Sequence, residues 1–318
     1  MHFQLTDDQS ALKAGVRELL EGRFGRERLR AAVEAPRLDR ALWRELGDAG
    51  FFALRLPEAD GGVGLGLPEA VLAFEEAGRV LLTGPLVATH LAAGEVAGAA
   101  TGEAVVTAAY GGLVEWMEQA DVVRGDVAGA RGVTAAGGAA AAEARASVAS
   151  VASAEPMESL DPLTPLHRVR GSGGSYGSVD PLAVLLTAAE QLGTAARTCE
   201  LAVQHARTRE QFGQPIGAFQ AVKHLCAQML VRVEMARVAV YAAAVTADPL
   251  DIASARLFAD QAAVRGARDC LQVHGGMGFT WESDVHLYLK RAWVRTQRAG
   301  SATQSEEGLA AELVAGTA

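Results

Sequence analysis

The sequence predicts a mainly helical protein in three parts: an N-terminal helical domain at 1–103, a reduced β unit with a linker at 104–178, and a C-terminal antiparallel four-helix bundle at 179–318. Long Ala- and Leu-rich segments with helical spacing fill the first and last parts. The middle part instead contains short Val-rich runs that glycines interrupt. Helix start signals recur in both helical parts, where an Asp or Thr stands just before an apolar run.

The N-terminal part opens with a capping box. Thr6 precedes an amphipathic run and Gln9 follows three residues later, so these side chains can satisfy free amides at the helix start. Asp39 is placed to cap a second helix. Pro68 follows a glycine-rich loop and is well placed to open the next one. A further apolar helix is expected over 85–96.

Two runs of the middle part, AVVTAAYGG and ADVVRGDVAG, have the composition of short strands that end in glycine-rich turns. The segment AGARGVTAAGGAAAAEARASVASVASAE is low in complexity, and RVRGSGGSYGSVD has the composition of a linker. The middle part is therefore interpreted as a small, eroded β unit.

The C-terminal part repeats one start signal, since Asp180-Pro181 and Asp248-Pro249 each offer a capping Asp and a Pro in the first turn. A helix that starts near Ala218 carries apolar residues at alternating steps of three and four, which is typical of lengthwise helix packing. These residues are Phe219, Val222, Cys226, Met229, Val233, Ala236 and Val240. Because the connections are short, the helices are expected to form an antiparallel bundle.

Composition excludes several functional classes. The net charge is -9 and the pI is about 5.4, so the chain has no basic surface for nucleic acid. Three cysteines without a CxxC pair favour a reducing, cytoplasmic compartment. The N-terminus lacks the basic and apolar regions of a signal peptide, and no membrane span is expected. The histidines lack metal-ligand spacing, so no metal site is expected.

Two polar stretches interrupt the bundle pattern. In RTREQFGQPIGAFQ, Arg209 has donors suited to a phosphate, and Gln220 lies in the first turn of a helix, where free amides favour anions. From spacing alone, a helix cap by Arg209 and a surface position for Gln220 are at least as well supported. In QVHGGMGFTWES the glycines allow a ligand to approach the backbone, but a helix C-cap fits them too.

Together these stretches resemble one family. RTREQFGQPIGAFQAVKHLCAQM and QVHGGMGFTWESDVHLYLKRA resemble the C-terminal domain of acyl-CoA dehydrogenases, and LTDDQSALKAGVRELL and LWRELGDAGFFALRLPEADGGVGLGLPEAVLAFEEAGR resemble the N-terminal domain. The resemblance covers roughly 1–95 and 180–300. It implies FAD as cofactor, an acyl-CoA substrate that is oxidised to enoyl-CoA, and electron-transfer flavoprotein as acceptor. A carboxylate removes the α-proton in this family while the β-hydride passes to flavin N5.

The resemblance also implies cofactor contacts. In the family, residues of the RxxFG and QxxGGxG motifs contact the ADP part of FAD. The matching residues here are Arg209, Gln211, Phe212, Gln220, Gln272, Gly275 and Gly276. Both motifs reach a FAD that is held mainly by the neighbouring subunit, so the resemblance implies an oligomer.

The chain departs from the family at its catalytic positions. The middle part lacks the Thr-Glu-Pro and Trp-Ile/Val-Thr stretches that cover the flavin ring. The usual glutamate position corresponds to Ala299, and the position used by a minority of members to Ala183. We therefore predict no catalytic base in this chain. Other carboxylates of the bundle are interpreted as surface, helix-pairing or capping groups: Glu190, Glu200, Glu234, Glu282 and Asp284.

This selective loss resembles the smaller, non-catalytic subunit of actinobacterial heteromeric (α2β2) acyl-CoA dehydrogenases, several of which act on CoA thioesters of steroid side chains. The hypothesis is that the chain completes the ADP end of a FAD site shared with a catalytic, homologous partner subunit. Two alternatives stay open: a self-sufficient homo-oligomeric dehydrogenase with an unconventional base, and a non-enzymatic scaffold or acyl-CoA-binding protein. The sequence does not specify the acyl group.

Overall fold

A computed structural model describes residues 4–110, 112–127, 130–132, 154–169, 180–298 and 302–315. Most of the predicted linker, most of the low-complexity segment and Ala299 lie outside these residues, whereas Arg168 and Val169 of the predicted linker belong to a strand. The N-terminal helices are α1 Asp7–Arg23, α2 Arg26–Glu34, α3 Arg40–Asp48, α4 Leu67–Arg79 and α5 Leu86–Ala92. None of the helices that the structure describes is long and apolar enough to cross a membrane.

The predicted starts of α1 and α3 are confirmed. The Thr6 hydroxyl accepts from the Gln9 amide at 3.1 Å, and the Gln9 side chain accepts from the Thr6 amide at 3.1 Å. Asp39 accepts from the first amides of α3. The helix expected over 85–96 is shorter, since α5 ends at Ala92 and Gly94 takes a left-handed φ of 87°.

The middle part contains a six-stranded sheet in the order β4-β3-β1-β2-β6-β5. Its strands are β1 Val106–Tyr110, β2 Leu113–Glu115, β3 Val122–Val127, β4 Ala130–Gly132, β5 Ala154–Met157 and β6 Leu166–Val169. The β1–β3 pair is parallel and the other neighbours pair antiparallel. Strands β1 and β3 confirm the two runs that the sequence predicts.

The bundle is built from α6 Pro181–Thr208, α7 Gln220–Thr246, α8 Pro249–His274, α9 Val285–Arg295 and α10 Ala302–Ala315. Both Asp-Pro starts are confirmed: Asp180 accepts from the Leu182 amide at 2.8 Å, and Asp248 accepts from the Leu250 amide at 2.8 Å. The N-terminal helices and the bundle share one buried apolar core.

Helix α7 is apolar on two faces. Its inner face confirms the predicted seam, because Met229, Val233, Ala236 and Val240 are buried in the core. A second row points outward and is 50–76% exposed. We call this row the outer stripe of α7; it comprises Val231, Met235, Val238 and Val245. Monomers rarely expose an apolar row of this kind.

Helix α4 crosses α6 at very short range. Glycines stand at the contact on both helices, Gly78 on α4 and Gly193 on α6. A Cβ atom on Gly78 would lie 2.0 Å from the Glu190 carbonyl oxygen, and one on Gly193 would lie 1.9 Å from the Glu75 carbonyl oxygen. The crossing therefore requires glycine on each side, and it fixes the N-terminal helices against the bundle.

Candidate cofactor-binding site

The two polar stretches meet at one end of the bundle. Arg209 follows directly after α6, and Gly275 follows directly after α8. The imidazole of His205, in the last turn of α6, stacks on that of His274 at the end of α8. The ring centroids are 4.1 Å apart and the planes differ by 19°. The structure therefore brings both predicted motifs into one region.

A two-residue hairpin displays the first motif. Strands β7 Glu210–Gln211 and β8 Gln214–Pro215 pair antiparallel around Phe212 and Gly213. Both central residues have positive φ, 55° and 76°, which is the pattern of a type I′ turn. Glycine accepts this conformation without strain, whereas phenylalanine does not. Phe212 is nevertheless 91% exposed, so burial within this chain does not hold it in this conformation.

Backbone contacts hold Arg209 while its side chain stays available. Its N–H donates to the His205 carbonyl at 2.8 Å, and its carbonyl accepts from the Ile216 amide at 2.8 Å. Within the described part of the chain, no hydrogen bond or ion pair engages the guanidinium, which is exposed. Arg209 thus does not cap α6 through its side chain, and its planar donors are free for an anion.

The start of α7 adds free donors beside this arginine. Phe219 is the capping residue and makes no side-chain cap bond, while Gln220 is the exposed first residue of the helix. The ring of Phe219 meets that of Phe212 edge-on, with centroids 6.0 Å apart. Uncapped amides at a helix start carry partial positive charge and favour phosphate groups.

The second motif forms an open turn. A 3₁₀ segment runs over Gly275–Phe279, and Gly275 has a φ of 61°. A Cβ atom on Gly275 or Gly276 would meet nothing within 4 Å, so this backbone is open to an incoming group. Gln272 is exposed, and its carbonyl accepts the Gly275 amide. A free guanidinium, uncapped amides and open glycine backbone at one end of the bundle fit the diphosphate and nucleoside of an ADP group.

Two positions are expected for the catalytic base, and the one that lies within the described residues holds no acid. Ala183 lies in the first turn of α6 and is fully buried. Ala299, the other expected position, lies outside the described residues. Among these residues, no cluster of three or more potential metal ligands occurs.

Glu190 is a buried carboxylate that is already paired. It accepts from Arg295 at 2.8 Å and from Arg298 at 2.5 Å. Burial disfavours its charge, but these two arginines outweigh burial and hold its pKa below the ordinary value. Such a group is ionised but shielded. It therefore suits a structural ion network better than proton abstraction from a substrate.

The other carboxylates of the bundle have structural partners as well. Glu200 receives two bonds of 2.8 Å from Arg79, and Glu234 lies 3.4 Å from Arg237. The expectation that Glu282 and Asp284 cap α9 is wrong. The side chain of Asp284 makes no cap bond.

Arginines of α2 explain why Asp284 does not cap α9. Arg26 donates to Asp284 at 2.6 Å and to the Glu282 carbonyl at 2.9 Å, and Arg30 donates to Asp284 at 2.5 Å. Two arginines therefore hold Asp284 away from the helix amides. Ser283 accepts weakly from the Val285 amide, at 3.3 Å.

A cleft between α5 and the β unit, which Arg298 also borders, is nearly closed. Val87, Thr107, Tyr110, Glu115 and Arg298 are among its lining residues. Its volume of about 10 Å³ suits a single water molecule. This cleft cannot admit a flavin ring or an acyl chain.

Comparison with known proteins decides the family. The model of the acyl-CoA dehydrogenase N-terminal domain matches residues 6–112, and that of the C-terminal domain matches residues 184–309. The chain is 35% identical over 294 residues to "Acyl-CoA dehydrogenase IpdE2" of Mycobacterium tuberculosis, which covers 90% of this chain and 91% of that protein. The chain belongs to the acyl-CoA dehydrogenase family. The predicted family and three-part fold are thereby confirmed.

Two solved structures share the fold of this family member over 98–99% of its length. The ChsE4-ChsE5 complex from Mycobacterium tuberculosis aligns with a TM-score of 0.80 at 26% identity, covering 99% of each chain. PigA with FAD and proline aligns with a TM-score of 0.79 at 18% identity, covering 98% of this chain and 99% of that one. The first is a complex of two named chains and the second contains FAD. Membership of the family supports FAD as the cofactor, as the sequence predicts.

The stacked histidines and the Arg298–Glu115 contact were missed by sequence reasoning. His205 and His274 lie far apart in the chain, and so do Glu115 and Arg298. No local spacing signals either pair.

Proposed function

We propose that this chain is a subunit of a FAD-dependent acyl-CoA dehydrogenase, and that it completes the ADP end of a FAD site shared with a homologous catalytic subunit. The observation that carries the proposal is the contrast between two regions. The side chains of Arg209, Gln220 and Gln272 are exposed and make no hydrogen bond within the described residues, while the carboxylates near the expected base position are buried in ion pairs or absent.

Each motif has a proposed task at the cofactor. Arg209 and the first amides of α7 hold the diphosphate, since both offer donors to anionic oxygens. The exposed side chains of Gln211, Gln220 and Gln272 supply hydrogen bonds to the nucleoside, and Phe212 packs against it. Gly275 and Gly276 let it approach the backbone. When bound, FAD accepts the hydride that leaves the acyl-CoA β-carbon.

The partner supplies what this chain lacks. In this proposal it carries the base, covers the flavin ring and binds the acyl-CoA, because Ala183 and Ala299 stand at the two expected base positions of this chain. Electron-transfer flavoprotein is the proposed acceptor of the electrons. An acyl-CoA thioester is the proposed substrate, with steroid side-chain thioesters as first candidates. The ChsE4-ChsE5 likeness supports a second chain. The resemblance that the motifs carry supports the substrate class.

The test is expression of the chain alone and together with a homologous, full-length acyl-CoA dehydrogenase encoded beside it. We expect FAD and turnover in the joint complex only, with both chains at equal stoichiometry. A chain that purifies alone with one FAD and oxidises an acyl-CoA would overturn the proposal.

An unconventional base in this chain is tested in the same complex. Glu190, Glu200, Glu234 and Glu282 are replaced by Gln one at a time. Loss of the general base lowers turnover on the order of 10²–10⁴-fold. We expect no variant to lose that much turnover while it keeps its fold, and one that does would identify the base.

A further inference from the structure

We infer that His205 and His274 are positioning residues that align the two halves of the proposed ADP-binding site; the inference rests on the proposed function. Neither histidine belongs to the RxxFG or QxxGGxG residues assigned above. Their stacked rings form a direct contact between the end of α6 and the end of α8.

Each ring is attached closely to one half of the site. The His205 carbonyl accepts the Arg209 amide at 2.8 Å, so its turn sets where the hairpin starts. His274 is the residue directly before Gly275. A fixed distance between the rings therefore fixes Arg209 relative to the glycine turn.

The His274 ring has a defined orientation. Its Nδ1 lies 2.8 Å from the Cys270 carbonyl oxygen. A carbonyl can only accept, so Nδ1 carries the hydrogen and donates it. This bond ties the ring to its own helix and presents one face to His205.

The surroundings favour the uncharged form of the His205 ring. Burial lowers its pKa, and the charges of His274 and Arg209 lower it further. The neighbouring Cys270 thiol also stays neutral, because burial raises its pKa to about 12. The offset or parallel stacking of aromatic rings adds stability beyond the burial of their area.

The alignment of the two halves of the site therefore affects the affinity for FAD. Without the stack each half keeps its local structure, since the hairpin has its own ladder and the glycine turn its own helix cap. The two halves are then held together only by the packing of α6 on α8 and can shift more against each other. A cofactor that touches both must bear the cost of ordering them.

The experiment measures FAD affinity of the complex with its partner subunit, by titration of the FAD-depleted complex. The variants are His205→Ala, His274→Ala, the double variant and His205→Phe. Gln204→Ala is the matched control, because Gln204 is the exposed neighbour of His205 on the same turn. Thermal unfolding and chain stoichiometry are measured for every variant.

Either alanine variant is expected to weaken FAD binding about threefold to tenfold. The double variant should bind FAD no more weakly than whichever single alanine variant has the lower affinity, because one substitution already removes the contact. His205→Phe should restore affinity, since it keeps an aromatic face. Turnover at saturating FAD should stay unchanged in all of them.

Unchanged FAD affinity in both alanine variants would overturn the inference, and so would additive losses or failure of His205→Phe to restore binding. Arg209→Ala separates this result from the proposed function. If Arg209→Ala weakens FAD binding while the histidine variants do not, only the inference fails. If Arg209→Ala has no effect, the shared FAD site fails and the inference fails with it.

Discussion

Arg298 joins the bundle to the β unit through both oxygens of Glu115: its Nε donates to Oε1 at 2.8 Å and its Nη2 donates to Oε2 at 2.7 Å. The same guanidinium reaches Glu190 of α6 at 2.5 Å. Burial disfavours its charge, but Glu115 and Glu190 outweigh burial and raise the pKa of Arg298 above the ordinary value. The Arg298 guanidinium therefore forms hydrogen bonds with two buried carboxylates, Glu115 and Glu190. It also borders the nearly closed cleft beside the β unit.

Arg298→Ala should lower the free energy of unfolding by about 3–5 kcal/mol, because it leaves two buried carboxylates without this partner. Urea unfolding measures the change. Arg23→Ala is the control, since Arg23 and Glu45 form a solvent-exposed pair at 3.4 Å. That pair should contribute less than about 1 kcal/mol. Similar losses in both variants would contradict this account of the buried network.

Arg209→Ala should weaken FAD binding to the complex by roughly 10- to 100-fold, because hydrogen bonds from a charged donor contribute about 1.5–3 kcal/mol each. Equilibrium titration with FAD measures it. Arg207→Ala is the matched control, since Arg207 is also exposed and lies two residues earlier in α6. We expect little change there. Equal effects of the two substitutions would point to general charge rather than a specific contact.

Gly78→Ala should destabilise the chain by about 3 kcal/mol or more, since the new methyl would overlap the backbone of α6. Thermal and urea unfolding measure the effect. Gly15→Ala provides the opposite control: Gly15 is an exposed residue of α1, and a Cβ there meets nothing within 4 Å. It should stabilise the chain by up to about 1 kcal/mol. A tolerated Gly78→Ala would show that the helices do not cross this closely.

His90 on α5 should make stability depend on pH. Burial lowers its pKa to about 4, and the charge of Arg55 acts in the same direction. The folded state keeps the ring neutral, whereas the unfolded chain binds a proton below about pH 6.5. Stability from this group is therefore complete above pH 6.5 and falls as the pH drops towards 4, by up to roughly 3 kcal/mol.

The measurement compares urea unfolding of the natural chain with that of His90→Phe between pH 7 and 5. Phenylalanine preserves an aromatic ring near Phe74, whose centroid lies 5.3 Å from that of His90. The variant should lose less stability over this interval. Parallel pH profiles would show that His90 does not titrate as described.

Local chemistry made the helix starts and the cofactor motifs predictable. Thr6, Asp39, Asp180 and Asp248 each cap the helix that the sequence assigns to them. A capping side chain and the amide it meets lie within three residues, so spacing alone is informative. The same locality lets RTREQFGQPIGAFQ and QVHGGMGFTWES be recognised.

Long-range contacts were beyond prediction for a physical reason. The start of α2 was missed because Gly25 caps it without a side chain. The strand order depends on pairings between distant segments, such as β2 with β6. The Arg298–Glu115 contact and the His205–His274 stack likewise arise only when helices and sheet pack. No residue near either partner signals them.

The outer stripe of α7 and the exposed ring of Phe212 have a consequence for the cell. If the proposed partner subunit covers these apolar surfaces, an unpartnered copy leaves them in water, where they promote aggregation and recognition by chaperones and proteases. A copy without its partner would therefore be short-lived. The amount of enzyme would then depend on matched synthesis of the two polypeptides. The amount of one polypeptide in the cell would then depend on how much of the other is made.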